Sequence, residues 1–266
     1  MKSLPHFFIA LAAVLLTHTA AAQNQLEPAK GNQAATKPKA ADVKVVDVPG
    51  LPRVLLIGDS ISYGYQPFVT AKLKGKANIH HPPENCGHTG RGLAYLDKWL
   101  AGEHWDVIHF NFGLHDLKYL DEKGNYVTPD KGKQVTPPEI YRQQLTELTK
   151  RLQATNAKLV FATTTPVPPG ARGRVAGDEI VYNKIAREVM QALNVPVDDL
   201  GAYVAEQQKK LPPYPVSERA KARDLARSPR PGEIQNPFDV HFTPEGYKQL
   251  ADLVVASVEK VLPASH

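Results

Sequence analysis

The first residues that could carry chemistry follow an apolar run near the start of the folded part of the chain. Residues 54–57, Val-Leu-Leu-Ile, lead directly into Gly58, Asp59 and Ser60. A serine hydroxyl at the end of a buried strand can act as a nucleophile if a base removes its proton and a partner orients that base. The same three residue types are also common in ordinary turns. The motif alone leaves both interpretations of Ser60 open.

A base and an acid are available in the segment 236–247, NPFDVHFTPEGY. Asp239 precedes His241 by two residues, and the Thr-Pro pair that follows is typical of a helix start. A histidine can take the proton of a serine, and a carboxylate can fix the histidine tautomer and stabilise the imidazolium. Ser60, His241 and Asp239 therefore form the predicted catalytic set.

A third polar group follows another apolar run, in the segment 109–117, HFNFGLHDL. The side chains in this segment that could take part in catalysis are Asn111, His115 and Asp116. Donors at the end of a strand suit an oxyanion hole, and so do the backbone amides of the glycine-rich segment 85–92. The alternative is a structural turn in which Asp116 starts a helix.

Apolar runs and amphipathic segments alternate from residue 53 onward. The predicted strands are Val54–Ile57, Ala77–His80, Trp105–Phe110, Lys158–Ala162 and Val195–Val197. The predicted helices are Pro67–Leu73, Leu93–Leu100, Pro137–Leu152, Glu179–Leu193 and Pro244–Leu262. The Thr-Pro pairs at 136–137 and 243–244 predict N-caps at Thr136 and Thr243. The polar segment 119–136 between elements predicts a surface loop.

This alternation predicts an α/β fold with a mostly parallel sheet that is covered by helices on both faces. Ligands of such sheets bind beyond the carboxyl ends of the strands. Ser60 and the segments 111–118 and 163–170 all follow strand ends, so we expect them to share one rim.

In this order the segments resemble the SGNH (GDSL) hydrolase family over essentially residues 53–262. Ser60 matches the family's first block, and Gly87 matches the second, with Gly90 as an alternative. The segment GLHD at 113–116 matches the third block, and DVHFTPEGY at 239–247 matches the last. The resemblance implies a three-layer α/β/α sandwich with a flavodoxin-like sheet.

Two positions depart from the family pattern. His115 stands where the family has asparagine, and its ring N–H can replace the amide donor in a way that depends on pH and tautomer; Asn111 is the alternative donor. Asp239 lies two residues before His241, where the family usually has three, so Phe238 occupies the expected position of the acid. Either the loop conformation differs, or a backbone carbonyl orients His241.

The resemblance implies an esterase in which Ser60 attacks and His241 is the base. The oxyanion would be held by the amides of Ser60 and Gly87 and by His115. The residues expected to contact substrate are Asp59, His88 and Asn111. No cofactor and no metal are implied, because the His80, His81, Cys86 and His88 spacing fits no zinc pattern.

Family members deacylate carbohydrates, lipids and thioesters. Polar inserts around the rim and an exported chain favour an acetylated carbohydrate as substrate, and the alternatives are a lipid or thioester hydrolase, a glycan-binding protein or an acyltransferase. The formal net charge of +5 over 266 residues is mild and dispersed, which does not indicate a nucleic-acid partner.

The N-terminus indicates export. Residues 1–22 combine Lys2, an apolar stretch and an Ala-Ala-Ala end, as in a cleaved signal peptide, which predicts a bacterial periplasmic or secreted protein without stable membrane association. An uncleaved anchor is the alternative. Residues 23–50 are rich in Ala, Lys, Gln and Pro and predict a flexible linker, which leaves 51–266 as the hydrolase-like domain. The single cysteine, Cys86, excludes an intrachain disulfide.

Overall fold

The computed structural model describes residues 46–211 and 229–263. The strands of its main sheet are β1 (Arg53–Ile57), β2 (Asn78–His80), β3 (Val107–Phe110), β6 (Lys158–Ala162) and β7 (Val197–Asp198). They are all parallel, in the order β2-β1-β3-β6-β7. Each overlaps a predicted strand, so the predicted parallel sheet is confirmed. The predicted signal peptide and nearly all of the predicted linker lie outside the described residues.

Both faces of the sheet are covered. Successive side chains of a strand point to opposite faces, yet Val54, Leu55, Leu56 and Ile57 of β1 are all at most 2% exposed. The helices in the described ranges are α1 (Ser60–Lys72), α2 (Thr89–Leu100), α3 (Pro138–Gln153), α4 (Asp178–Ala192), α5 (Leu200–Lys209) and α6 (Pro244–Glu259). The three-layer α/β/α fold class is therefore confirmed.

Helix packing brings the two ends of the domain together. α1 packs against α6, and α3 packs against both α2 and α4. Gly64 of α1 lies so close to the Tyr247 ring of α6 that a Cβ atom would overlap it. A glycine is needed here because it lets the helix that follows β1 lie directly beside the helix that follows residue 243.

The predicted start of α1 is wrong. The helix was predicted over Pro67–Leu73, whereas α1 begins at Ser60 and contains Pro67 in its interior. The Pro67 side chain is exposed, and Asp59 caps the helix by accepting a hydrogen bond from the Ile61 amide at 2.9 Å. Ser60 is therefore the first residue of α1, and only Gly58 and Asp59 separate it from the end of β1. α5 was not predicted.

The two predicted N-caps have different outcomes. Thr243 caps α6, because its hydroxyl accepts a hydrogen bond from the Gly246 amide at 3.0 Å. Thr136 does not cap α3; Pro137 precedes the helix with no side-chain cap. Thr136 instead donates its backbone amide to the Asp116 carbonyl at 3.0 Å.

The segment 119–136 is more ordered than the predicted surface loop. It contains β4 (Tyr119–Leu120), a short 3-10 helix and β5 (Lys133–Gln134), and the two strands form a small antiparallel sheet. None of the helices within 46–211 and 229–263 is both long and apolar enough to cross a membrane.

Candidate active site

Ser60 lies where β1 turns sharply into α1. Gly58 is required in this turn, because a Cβ there would come within 2.7 Å of the Ser62 hydroxyl oxygen. Asp59 is 2% exposed and bonds the Ile61 amide, and its burial raises the pKa of its carboxyl group. The first amides of a helix have no intrahelical acceptor and carry the positive end of the helix dipole. The Ser60 amide is therefore well placed to stabilise an anion.

His241 meets Ser60 from the loop before α6. Its Nε2 atom lies 2.8 Å from Ser60 Oγ, and its Nδ1 atom lies 2.8 Å from Asp239 Oδ1. The carboxylate can only accept, so Nδ1 carries the hydrogen and Nε2 presents a lone pair to the serine hydroxyl. The bond to His241 is the main cause that lowers the pKa of Asp239. The three side chains of the predicted catalytic set thus form a continuous hydrogen-bonded chain.

The unusual spacing of Asp239 and His241 is accommodated by the loop backbone. Phe238 adopts φ +61°, in the left-handed region that non-glycine residues rarely occupy. The Asn236 amide donates to the His241 carbonyl at 2.8 Å and the Asp239 amide to the Asn236 carbonyl at 3.3 Å, which closes a tight turn. Of the two alternatives left open by the sequence, the structure has a changed loop in which Asp239 reaches the imidazole.

His115 lies in the turn after β3 and faces the same cavity as Ser60 and His241. Its Nδ1 atom is 3.2 Å from Lys118 Nζ, and its Nε2 atom is 4.0 Å from Asp59 Oδ2. Burial, assisted by the Lys118 charge, lowers the pKa of His115 to about 3. The ring is therefore neutral at ordinary pH and has one N–H donor.

The predicted second-block donor is present but engaged. Gly87 has φ +67°, and its amide donates to Asn85 Oδ1 at 2.9 Å. Asn85 is exposed and lines the cavity, so a rotation of its side chain would free the Gly87 amide. The neighbouring Cys86 amide donates to the Gly58 carbonyl at 3.1 Å, which ties this loop to the end of β1. The alternative, Gly90, lies inside α2 beside the His88 ring.

The cavity beside Ser60 has a volume of about 1420 Å³. Its wall is mixed: Asn85, Tyr126, Arg172 and Arg174 are polar or cationic lining residues, and residues such as Val167 and Phe238 are apolar. Only weak sequence signals pointed to these residues: the two arginines lie in the loop after β6, and Tyr126 lies in the polar 119–136 segment.

The three residues predicted to contact substrate do not line this cavity. Asp59 is buried as a helix cap, and the side-chain Nδ2 of Asn111 donates to the Ala162 carbonyl at 2.7 Å, which joins the ends of β3 and β6. His88 precedes α2, and its Nδ1 atom is buried without a hydrogen-bond partner among the described residues. The prediction that Asp59, His88 and Asn111 contact substrate therefore differs from their positions, since Asp59 and Asn111 are engaged in bonds that hold the strand ends.

The histidines and the cysteine at 80–88 do not converge. His80 bonds Asp47 at 2.7 Å, His81 bonds Ser62 at 2.6 Å, and burial raises the pKa of the Cys86 thiol to about 12. In the part of the chain that the structure describes, no three His, Cys, Asp or Glu side chains group as metal ligands would.

A serine bonded to a histidine that is bonded to an aspartate, at the carboxyl edge of a parallel sheet, defines the class of α/β serine hydrolases. The model of the GDSL-like lipase/acylhydrolase family matches residues 56–249, which is most of the chain. The chain therefore belongs to the GDSL-like lipase/acylhydrolase family and is a carboxylic ester hydrolase.

Several solved structures are similar to this chain. A lipase/acylhydrolase from Enterococcus faecalis has a TM-score of 0.59 at 20% identity and covers 81% of this chain and 100% of its own. The acetyl xylan esterase AlAXEase has a TM-score of 0.57 at 15% identity, with 77% and 99% covered. TesA has a TM-score of 0.51 at 15% identity, with 79% and 99% covered. At these identities the likeness shows the fold alone. No curated protein matches the sequence.

Proposed function

We propose that this protein is an exported serine esterase that removes acetyl or other short acyl groups from a carbohydrate. The observation that carries the chemistry is the hydrogen-bonded chain Ser60–His241–Asp239, with 2.8 Å between Ser60 Oγ and His241 Nε2. Family membership supports an ester as the substrate.

In the proposed mechanism, Ser60 Oγ attacks the ester carbonyl carbon while its proton passes to His241 Nε2. The carbonyl oxygen becomes an oxyanion, and the carbon–oxygen bond to the alcohol then breaks as His241 returns the proton to that alcohol. Water attacks the acyl-enzyme by the same route and releases the acid. Asp239 stabilises the imidazolium that forms in each half of the cycle.

The oxyanion needs donors that are already in place. The Ser60 amide at the start of α1 and an N–H of His115 are the two that the cavity offers directly, since both residues line it. The Gly87 amide would be a third once Asn85 Oδ1 leaves it.

The carbohydrate assignment is supported by the wall of the cavity. Polar side chains line it beyond the arginines, including Gln207 and Gln208. Arg172 and Arg174 lie over the Tyr126 ring, with 5.3 and 5.7 Å between each guanidinium carbon and the ring centroid. The two arginines suit the hydroxyl groups, and any carboxylate, of a sugar, and the apolar residues of the same wall suit a short acyl group.

Acetate release tests the substrate. Wild type and Ser60→Ala would be incubated with O-acetylated xylan, glucomannan, pectin and peptidoglycan, and with long-chain lipid esters and thioesters as the opposing group. The proposal expects Ser60-dependent acetate release from at least one glycan, with a higher kcat/KM than for any long-chain substrate. Preference for long acyl chains, or glycan binding without hydrolysis, would contradict it.

The export part of the proposal is supported by the signal-like residues 1–22. Expression of the full chain in a Gram-negative host, with mass determination of the periplasmic product, should give a mature N-terminus near Gln23. Retention of the intact N-terminus in the membrane fraction would contradict cleavage.

A further inference from the structure

His115 presents a chemical problem that an asparagine at this position would not. A neutral imidazole carries its single hydrogen on either Nδ1 or Nε2, and the other nitrogen is then an acceptor. An acceptor that faced the oxyanion would repel it, whereas a donor would stabilise it. The identity of the tautomer therefore decides whether His115 helps or hinders the reaction.

The two ring nitrogens of His115 have different surroundings. Nδ1 faces Lys118 Nζ at 3.2 Å, so Nε2 is on the opposite side of the ring. Nε2 lies 4.0 Å from Asp59 Oδ2, beyond hydrogen-bond distance, on the side of the strand-to-helix turn that carries Ser60. The Nε2 edge is thus the one available to a substrate oxygen at Ser60.

A lysine ammonium has three donors and no acceptor. It can bond Nδ1 only if Nδ1 presents a lone pair, which leaves the hydrogen on Nε2. We propose that Lys118 is a positioning residue that holds His115 in the Nε2–H tautomer and so makes it an oxyanion donor. This inference rests on the proposed esterase mechanism.

The fold keeps both partners in place. The backbone carbonyl of Lys118 accepts a hydrogen bond from the Val135 amide at 2.9 Å, which attaches Lys118 to the segment just before α3. The Lys118 ammonium lies 5.3 Å from the centroid of the Tyr126 ring. Arg174 Nε donates to the Leu114 carbonyl at 3.0 Å and fixes the backbone just before His115. The segment 119–136 therefore has a role beyond lining the cavity, since it helps to hold the lysine that bonds His115.

Three substitutions at Lys118 separate the possible roles. Lys118→Arg keeps a charged donor, Lys118→Met removes the donor, and Lys118→Glu places an acceptor that would draw the hydrogen onto Nδ1. Each is made in the wild type and in His115→Asn, where the donor is an amide without tautomers. Initial rates on p-nitrophenyl acetate give kcat, and thermal unfolding midpoints show whether each variant folds.

Loss of an oxyanion donor costs on the order of 10²-fold in kcat. The proposal expects Lys118→Glu to lower kcat by about that factor, Lys118→Met by about 10-fold and Lys118→Arg by less than about 3-fold. In the His115→Asn background, Lys118→Met should change kcat by less than about 3-fold, because no tautomer remains to be set. Equal losses in both backgrounds would overturn the proposal, since they would indicate a long-range charge or a structural role.

The resting enzyme gives a readout that needs no substrate. Nitrogen-15 chemical shifts of labelled histidines, with His115 identified by the signals that vanish in His115→Asn, distinguish protonated from unprotonated ring nitrogens. We expect Nε2–H in wild type and Nδ1–H in Lys118→Glu. Nδ1–H in wild type would overturn the inference, and it would do so even if the esterase assignment held. If instead wild type lacks Ser60-dependent hydrolysis while Nε2–H is observed, the proposed function fails and the tautomer assignment stands.

Discussion

Two serines that lie two residues apart on α1 each form a hydrogen bond with a histidine from another part of the chain. Ser60 bonds His241 at 2.8 Å, and Ser62 bonds His81 at 2.6 Å. Both imidazoles bond an acceptor through Nδ1: Asp239 for His241 and the Pro82 carbonyl for His81. Hydrogen-bond geometry alone would therefore identify two candidate nucleophiles.

The two pairs differ in the exposure of the serine and in the group that bonds Nδ1 of the histidine. Ser62 is 2% exposed and shares its single hydrogen between His81 Nε2 and the Asp59 carbonyl at 2.7 Å. Ser60 lines the cavity, and its histidine is backed by a carboxylate that can stabilise a positive charge. Burial lowers the pKa of His81 to about 4, so that ring resists protonation. We infer that the Ser62 pair fastens α1 to the loop after β2, whereas the Ser60 pair performs the chemistry.

Replacing each of the two serines by alanine should give the greatest difference in kcat. Ser60→Ala should lower kcat on p-nitrophenyl acetate by at least about 10⁴-fold, because it removes the nucleophile. Ser62→Ala should change kcat by less than about 10-fold and lower the thermal midpoint, because it removes only a buried hydrogen bond. Comparable activity losses in the two variants would break the distinction.

A smaller effect tests the second partner of the imidazole. Asp239→Asn keeps an acceptor for Nδ1 but removes the charge, which makes the His241 environment resemble that of His81. We expect kcat to fall by about 10²- to 10³-fold, less than for a fully buried acid because the Asp239 side chain is 54% exposed. If kcat falls by less than about 3-fold, a neutral acceptor on Nδ1 is sufficient, and the charge of Asp239 does not distinguish the Ser60 pair from the Ser62 pair.

A still smaller effect is expected on the free energy of unfolding as a function of pH. His81 stays neutral in the folded state down to about pH 4, whereas an unfolded histidine binds a proton near pH 6.5. The unfolded state therefore binds more protons between these values, and the stability contributed by neutral His81 is lost as pH falls through that window.

His81→Gln cannot ionise and is the matched control, since His115 and the carboxyl groups titrate in both proteins. Urea unfolding at pH 7 and pH 5 should show that the stability of wild type, relative to His81→Gln, declines at the lower pH. A difference that is independent of pH would mean that His81 is not held neutral in the fold.

The parts of the site that could be predicted from the sequence depend on strand ends. Ser60 and His115 each follow a buried apolar run, and parallel strands bring their carboxyl ends to one edge. Family block order added His241, and the Thr-Pro pair correctly located the start of α6.

The parts that could not be predicted depend on local backbone conformation. The contact of Asp239 with His241 requires Phe238 in the left-handed region, which residue type disfavours. The start of α1 at Ser60 was missed because Pro67 is tolerated inside the helix on its exposed side. The bond from Lys118 to His115 joins residues three apart within a turn, where no periodicity predicts which side chains meet.

We infer that Ser60 is the activated nucleophile and that Ser62 is not. A fluorophosphonate probe followed by tryptic digestion tests it directly, because cleavage after Arg53 and Lys72 places both serines on one peptide whose fragment ions separate them. We predict a single adduct on Ser60 that is absent in Ser60→Ala and greatly slowed in His241→Gln. An adduct on Ser62, or unchanged labelling of Ser60→Ala, would contradict the account.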